Sequence, residues 1–124
     1  MRFVSTRVHG MADYATGLLL IASPYLFGFA QGGIAQWLPI VLGVSMLGLS
    51  LLTDYELGAA RIIPMPVHLG IDLVSGVLLA VSPWLFGFSD RVFWPHLIVG
   101  LLEIGAALTT RTHPDTAPTA LGRA

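Results

Sequence analysis

The segments VHGMADYATGLLLIASPYLFGF, residues 8–29, and VHLGIDLVSGVLLAVSPWLFGF, residues 67–88, are two versions of one sequence. Shifted by 59 residues, Val8 meets Val67, His9 meets His68, Asp13 meets Asp72, Gly17 meets Gly76, and Ser23-Pro24 meets Ser82-Pro83. After a two-residue gap the match resumes, with Trp37 against Trp94, Gly43 against Gly100 and Gly48 against Gly105. A repeat is settled before any element is assigned, because both copies must build the same unit. The chain reads as a tandem duplication, with residues 1–59 as the first repeat and 60–110 as the second. Residues 111–124, rich in Pro, Thr and Ala, read as a flexible cytoplasmic tail.

Composition sets the solvent. The 124 residues are 55% hydrophobic and 10% charged, against about 25% charged in an ordinary soluble domain. Tyr14 through Thr53 contains no Asp, Glu, Lys or Arg. Leu73 to Ser89 is also uncharged, and Val92 to Thr110 carries Glu103 alone. Apolar runs of this length span bilayers as helices. The expected fold is therefore all-α: four transmembrane helices near 8–27, 35–53, 67–86 and 93–110, built as two tandem helical hairpins. An even number of spans per repeat inserts both copies the same way up. That predicts a pseudo-two-fold axis along the membrane normal.

Arginine sets the orientation, since the chain has no lysine. Arg2, Arg7, Arg61, Arg111 and Arg123 fall on the termini and the central linker, and Arg91 on the other side. The positive-inside rule then places both termini and the linker 54–66 in the cytoplasm, in a cytoplasmic (inner) membrane. Arg2 and Arg7 before an apolar run also fit a signal peptide, but the same segment recurs mid-chain, which favours a retained helix. The linker DYELGAARIIPMP alternates Leu57 and Ile62/Ile63 with Glu56 and Arg61, so it is expected to lie along the inner interface. Pro64 and Pro66 are expected to stop any helix before the third span. Without cysteine there are no disulfides and no thiolate chemistry. A net charge of −1 with no basic run leaves no footprint for nucleic acid.

The phrase Ser-Pro-Tyr-Leu-Phe-Gly-Phe and its twin Ser-Pro-Trp-Leu-Phe-Gly-Phe read as helix ends. Pro24 and Pro83 deprive the carbonyls of Leu20 and Leu79 of their helical donors. Ser23 and Ser82 are placed to supply hydroxyl donors instead. Gly28 and Gly87 suit a left-handed stop. Tyr25, Phe27, Phe29, Trp37, Trp84, Phe86, Phe88, Phe93 and Trp94 then form an aromatic belt on the outer leaflet.

Two copies of a two-helix unit, each with Ser-Pro-(Tyr/Trp) near the end of its first helix, resemble the SPW-repeat family of small bacterial membrane proteins. The resemblance covers residues 8–110 and departs only in Tyr25, which keeps an amphipathic ring. It implies fold and location and no reaction.

Ionisable groups inside spans are costly and mark candidate sites. His9 and Asp13 share a helix face at a spacing of four, and His68 and Asp72 repeat them near the predicted cytoplasmic end. The two pairs are expected to face each other across the bundle axis. Three readings fit them. Each pair is satisfied locally, with its carboxylate near a helix N-terminus. Or His9 and His68 supply the axial imidazoles of one haem b, with Gly10, Gly17 and Gly76 leaving room for the ring. Or the pairs join Glu103 in a proton or ion relay. Glu103, whose counterpart is Met46, is expected to be protonated and hydrogen-bonded to a neighbouring helix, with Asp72 or His68 in reach. His96 is expected in the headgroup layer. Gly43, Gly48, Gly100 and Gly105 mark helix-packing faces, within the bundle or between copies.

No catalytic triad, phosphate loop or zinc-protease motif is present. The favoured reading is a non-enzymatic structural or accessory membrane protein, without metal or cofactor. Its expected partners are the lipid bilayer and either a second copy or a larger membrane complex. Haem binding or proton conduction is the alternative.

Overall fold

The structure is a computed structural model that describes residues 1–114. It is all-helical: α1 is Thr6–Leu26, α2 Gly33–Leu52, α3 Met65–Leu85 and α4 Trp94–Thr109. α2 and α3 are long and apolar enough to cross a membrane, and α4 is a shorter apolar helix. The predicted tail lies mostly in 115–124, outside the described residues.

Local chemistry sets the ends. Ser5 Oγ accepts the Val8 N–H at 3.1 Å, so α1 starts earlier than hydropathy suggests. α3 starts at Met65, with Pro66 inside its first turn. Proline costs nothing there, because that N–H has no helical partner. The expectation that both prolines precede the helix is corrected accordingly.

The C-terminal ends of α1 and α3 are built alike. Ser23 Oγ donates to the Leu20 carbonyl at 2.8 Å, and Ser82 Oγ to that of Leu79 at 2.7 Å. Phe29 N–H reaches back to Pro24 O at 2.8 Å, and Phe88 N–H to Pro83 O at 2.7 Å. Gly28 and Gly87 make these turns with φ of +75° and +76°, as Schellman motifs require. Trp37, Trp84 and Trp94 are each about half exposed, but Phe29 and Phe88 turn inward and are buried. They pack against the His96 ring at 5.1 and 4.9 Å between centroids. His96 is itself buried and bonds the Ala35 carbonyl through Nε2 at 2.9 Å. Its ring is therefore packed inside the bundle at the start of α4.

Glycines set how closely each hairpin closes. A Cβ on Gly43 would lie 2.6 Å from the Gly17 carbonyl, and one on Gly100 2.7 Å from that of Gly76. The helices of each pair therefore touch backbone to backbone at one crossing. Gly48 and Gly105 meet nothing within 4 Å.

The linker folds back on the end of α2. Ile63 bridges Thr53, while Tyr55 is wholly buried, with its ring against Gly10. The N-terminal segment repeats the bridge, Val4 with Thr110. Arg2 Nη1 donates to the Ala107 and Thr110 carbonyls at 2.8 and 2.7 Å, satisfying the end of α4. At this end of the molecule the segment before α1 is stitched to the end of α4. The segment before α3 is stitched to the end of α2.

Candidate functional site

Between those two stitches lie His9, Asp13, His68 and Asp72, all buried. The i, i+4 spacing lines up each pair along its own helix, with His9 Nε2 3.0 Å from Asp13 Oδ2 and His68 Nε2 3.1 Å from Asp72 Oδ2. The shorter contacts run between helices. His9 Nε2 lies 2.8 Å from Asp72 Oδ2, and His68 Nε2 lies 2.7 Å from Asp13 Oδ2. The four atoms form one ring in which imidazole nitrogen and carboxylate oxygen alternate. Each aspartate thus serves both histidines through the same oxygen. Neither aspartate caps its helix.

Two threonines fix the imidazoles. Thr53 and Thr110 stand at the C-terminal ends of α2 and α4. Each hydroxyl spends its hydrogen on the carbonyl four residues back, Leu49 or Ala106, at 2.6 Å. Thr53 Oγ1 can then only accept from His68 Nδ1, at 2.6 Å, and Thr110 Oγ1 from His9 Nδ1, at 2.7 Å. Both histidines therefore carry hydrogen on Nδ1 and aim Nε2 at the carboxylates. The repeat contained the signal for these threonines, because Thr53 and Thr110 align at the same offset as Trp37 and Trp94.

Tyr55 closes one side of the ring, its centroid 5.9 Å from that of His68. Burial pushes its phenol above its ordinary pKa. Thr6 Oγ1 donates to Glu56 Oε1 at 2.6 Å nearby.

Glu103 stands apart from the ring. It shares a cavity of about 30 Å³ with Asp72, Ser45, Ser75 and Met46, room for about one water. Neither carboxyl oxygen has a hydrogen-bond partner among the described residues, which corrects the expected bond to a neighbouring helix.

A porphyrin does not fit between His9 and His68. The Asp13 and Asp72 oxygens occupy the plane it would need, within 3.1 Å of both Nε2 atoms. The glycines expected to make room are also filled. The Tyr55 hydroxyl stands 2.7 Å from where a Gly10 Cβ would be, the Leu47 side chain 2.7 Å from a Gly17 Cβ, and the Gly100 carbonyl 2.9 Å from a Gly76 Cβ.

The family model described as the SPW repeat domain matches residues 7–110. The chain belongs to the SPW repeat family. The match spans both repeats, and with them the ring and both Ser-Pro helix ends. The SPW repeat is membrane-associated, and membership assigns no reaction. No curated protein and no solved structure matches the chain.

Proposed function

We propose that this SPW repeat protein is a four-span protein of the bacterial inner membrane with both termini in the cytoplasm. Its two hairpins insert in the same orientation, related by a pseudo-two-fold axis along the membrane normal. It is non-enzymatic, a structural or accessory protein that works by associating with itself or with a larger membrane complex.

The observation that carries this reading is the closed polar ring. His9, Asp13, His68 and Asp72 turn their polar atoms toward one another across the two repeats, and Thr53 and Thr110 accept the Nδ1 hydrogens of the two imidazoles. Such a ring ties one repeat to the other. Around it the helices present apolar side chains to the outside, including Leu18, Val74 and Leu102, each more than 60% exposed. A bilayer is the solvent such surfaces need. The open positions Gly48 and Gly105 favour close approach by a further helix.

The absence of cysteine makes the test direct. Single cysteines are placed at Gln31 and Asp90 between the helices of each hairpin, and at Ala59 in the linker. In intact cells a membrane-impermeant maleimide should label the first two and reach Ala59→Cys only after permeabilisation. Labelling of Gln31→Cys and Asp90→Cys from opposite sides would exclude the parallel arrangement. For association, Gly105→Cys should cross-link in native membranes, to itself or to a partner. A strictly monomeric product there would sink the accessory reading.

A further inference from the structure

We propose that the ring of His9, Asp72, His68 and Asp13 is a four-ligand site for a first-row divalent transition-metal ion of the zinc class. This deepens the proposed function and rests on it in one respect, since the ion would serve as the tie between the two repeats.

The histidines are set up as metal ligands. Each gives its Nδ1 hydrogen to a threonine whose own hydrogen is committed to a backbone carbonyl. That leaves the Nε2 lone pair pointing into the ring. Metal-bound histidines are oriented in this way, by an outer hydrogen bond that fixes the tautomer. With neutral imidazoles and nothing between them, Nε2 lone pairs would face carboxylate lone pairs at 2.7 to 3.1 Å, which is repulsive. A cation at the centre removes that repulsion.

Size and donor type narrow the ion. The four inward atoms all lie within 4.8 Å of one another. In a flat, nearly square ring with edges of 2.7 to 3.1 Å, the centre lies about 2 Å from each atom. Zinc binds imidazole nitrogen and carboxylate oxygen at about 2.0–2.2 Å. Calcium needs about 2.3–2.6 Å and six or more oxygens, and magnesium keeps an octahedral shell with several waters. Two imidazoles and two carboxylates, without thiolate, suit the zinc-to-copper end of the series.

Charge points the same way. Two carboxylates and a divalent cation sum to zero, so the filled site adds no net charge to the membrane interior, where a net charge is expensive. Four protein ligands also leave no open position for substrate, as in structural rather than catalytic sites. The ligands come from α1 and α3 and their supporting hydroxyls from the ends of α2 and α4. The ion would therefore fasten all four helices at one point.

The rival filling is two protons, with both histidines as imidazolium, and experiment separates the two. The full chain is purified in mild detergent, its affinity tag removed, stripped with chelator, and titrated with Zn²⁺ alone. One Zn²⁺ per chain is expected, retained through gel filtration, and Co²⁺ in its place should show visible d–d absorption. Asp13→Asn/Asp72→Asn should abolish binding. Should that variant fail to fold, Thr53→Val/Thr110→Val keeps all four ligands and should weaken binding about 10- to 100-fold. A helical, monodisperse parent that takes up none of Zn²⁺, Co²⁺ or Cu²⁺ overturns the proposal. Binding that survives unchanged in both double variants overturns it too, because the ion then sits elsewhere. A chain whose loops label on opposite sides, yet which binds one Zn²⁺ through these residues, keeps the site and loses the parallel membrane arrangement.

Discussion

At Pro24 the helix lacks the amide hydrogen that would close on the Leu20 carbonyl, and the Ser23 hydroxyl supplies one at 2.8 Å. Ser23→Ala leaves that carbonyl buried and unpaired, which costs about 1–3 kcal/mol. The loss should shrink when Pro24→Ala restores an N–H to the same carbonyl, so the cycle is non-additive. Unfolding midpoints of the two single variants and the double variant in detergent check this, and equal cost in both backgrounds would remove the hydroxyl from the account. Ser82 and Pro83 should behave alike, because Ser82 Oγ reaches Leu79 O at 2.7 Å. This device was readable in the sequence, since the proline fixes which carbonyl is orphaned and the serine beside it is the nearest donor. The pairing of His9 and Asp13 along one helix was readable for a similar reason, from spacing alone. The crossed contacts of 2.8 and 2.7 Å between repeats were not, because spacing places groups on a face without saying how near the opposing face comes. Glu103 shows the same limit. Its place as the lone charge of the last apolar run was clear, but its lack of a partner depends on α2 and α3 side chains that no periodicity predicts.

Each helical hairpin closes on one pair of glycines, and the sequence treats these no differently from their neighbours. Gly43 and Gly48 both read as small positions on a packing face. In the fold, a methyl group on Gly43 meets the Gly17 carbonyl at 2.6 Å and Leu20 Cβ at 3.0 Å, while one on Gly48 meets nothing. Backbone cannot swing aside as a side chain can, so Gly43→Ala must spread α1 from α2. Overpacking of this kind costs about 1–3 kcal/mol. Gly48→Ala should instead be neutral or stabilising by up to about 1 kcal/mol, from helix propensity. The second hairpin offers an independent check, with Gly100→Ala harmful against Ala80 N at 2.5 Å and Gly105→Ala harmless. Thermal midpoints of the four variants test the contrast, and similar values for all four would show that the crossing is looser than described. The start of α3 carries a related lesson: Pro66 looks like a barrier in the sequence, yet proline is acceptable in a first turn. Only the position of the turn distinguishes the two roles.

Across the whole molecule the two connections at the ring end are built alike. One is covalent, the linker between Thr53 and Ile63. The other is the pairing of Val4 with Thr110, which the break between the chain's two ends leaves open. The bonds match closely: Ile63 N–H to Leu52 O and Asp54 N–H to Ile63 O in one, Val4 N–H to Thr109 O and Arg111 N–H to Val4 O in the other, all between 2.7 and 2.9 Å. A circular permutant should therefore fold. It would begin at Ala60, run through Arg111, continue through a linker as long as the native one into Arg2, and end at Ala59. Ala59 and Ala60 are exposed, so the cut disturbs no buried side chain, and Tyr55 stays with its helix. Because each repeat holds two helices, the reordered chain would keep every helix pointing as before. The permutant should keep its helicity and lie within a few degrees of the parent's thermal midpoint. His9 and His68 should still be needed equally, since each imidazole faces both aspartates. Aggregation of the permutant, alongside a well-behaved parent, would mean that the order of the repeats matters. The covalent linker would then contribute something that the Val4–Thr110 pairing does not supply.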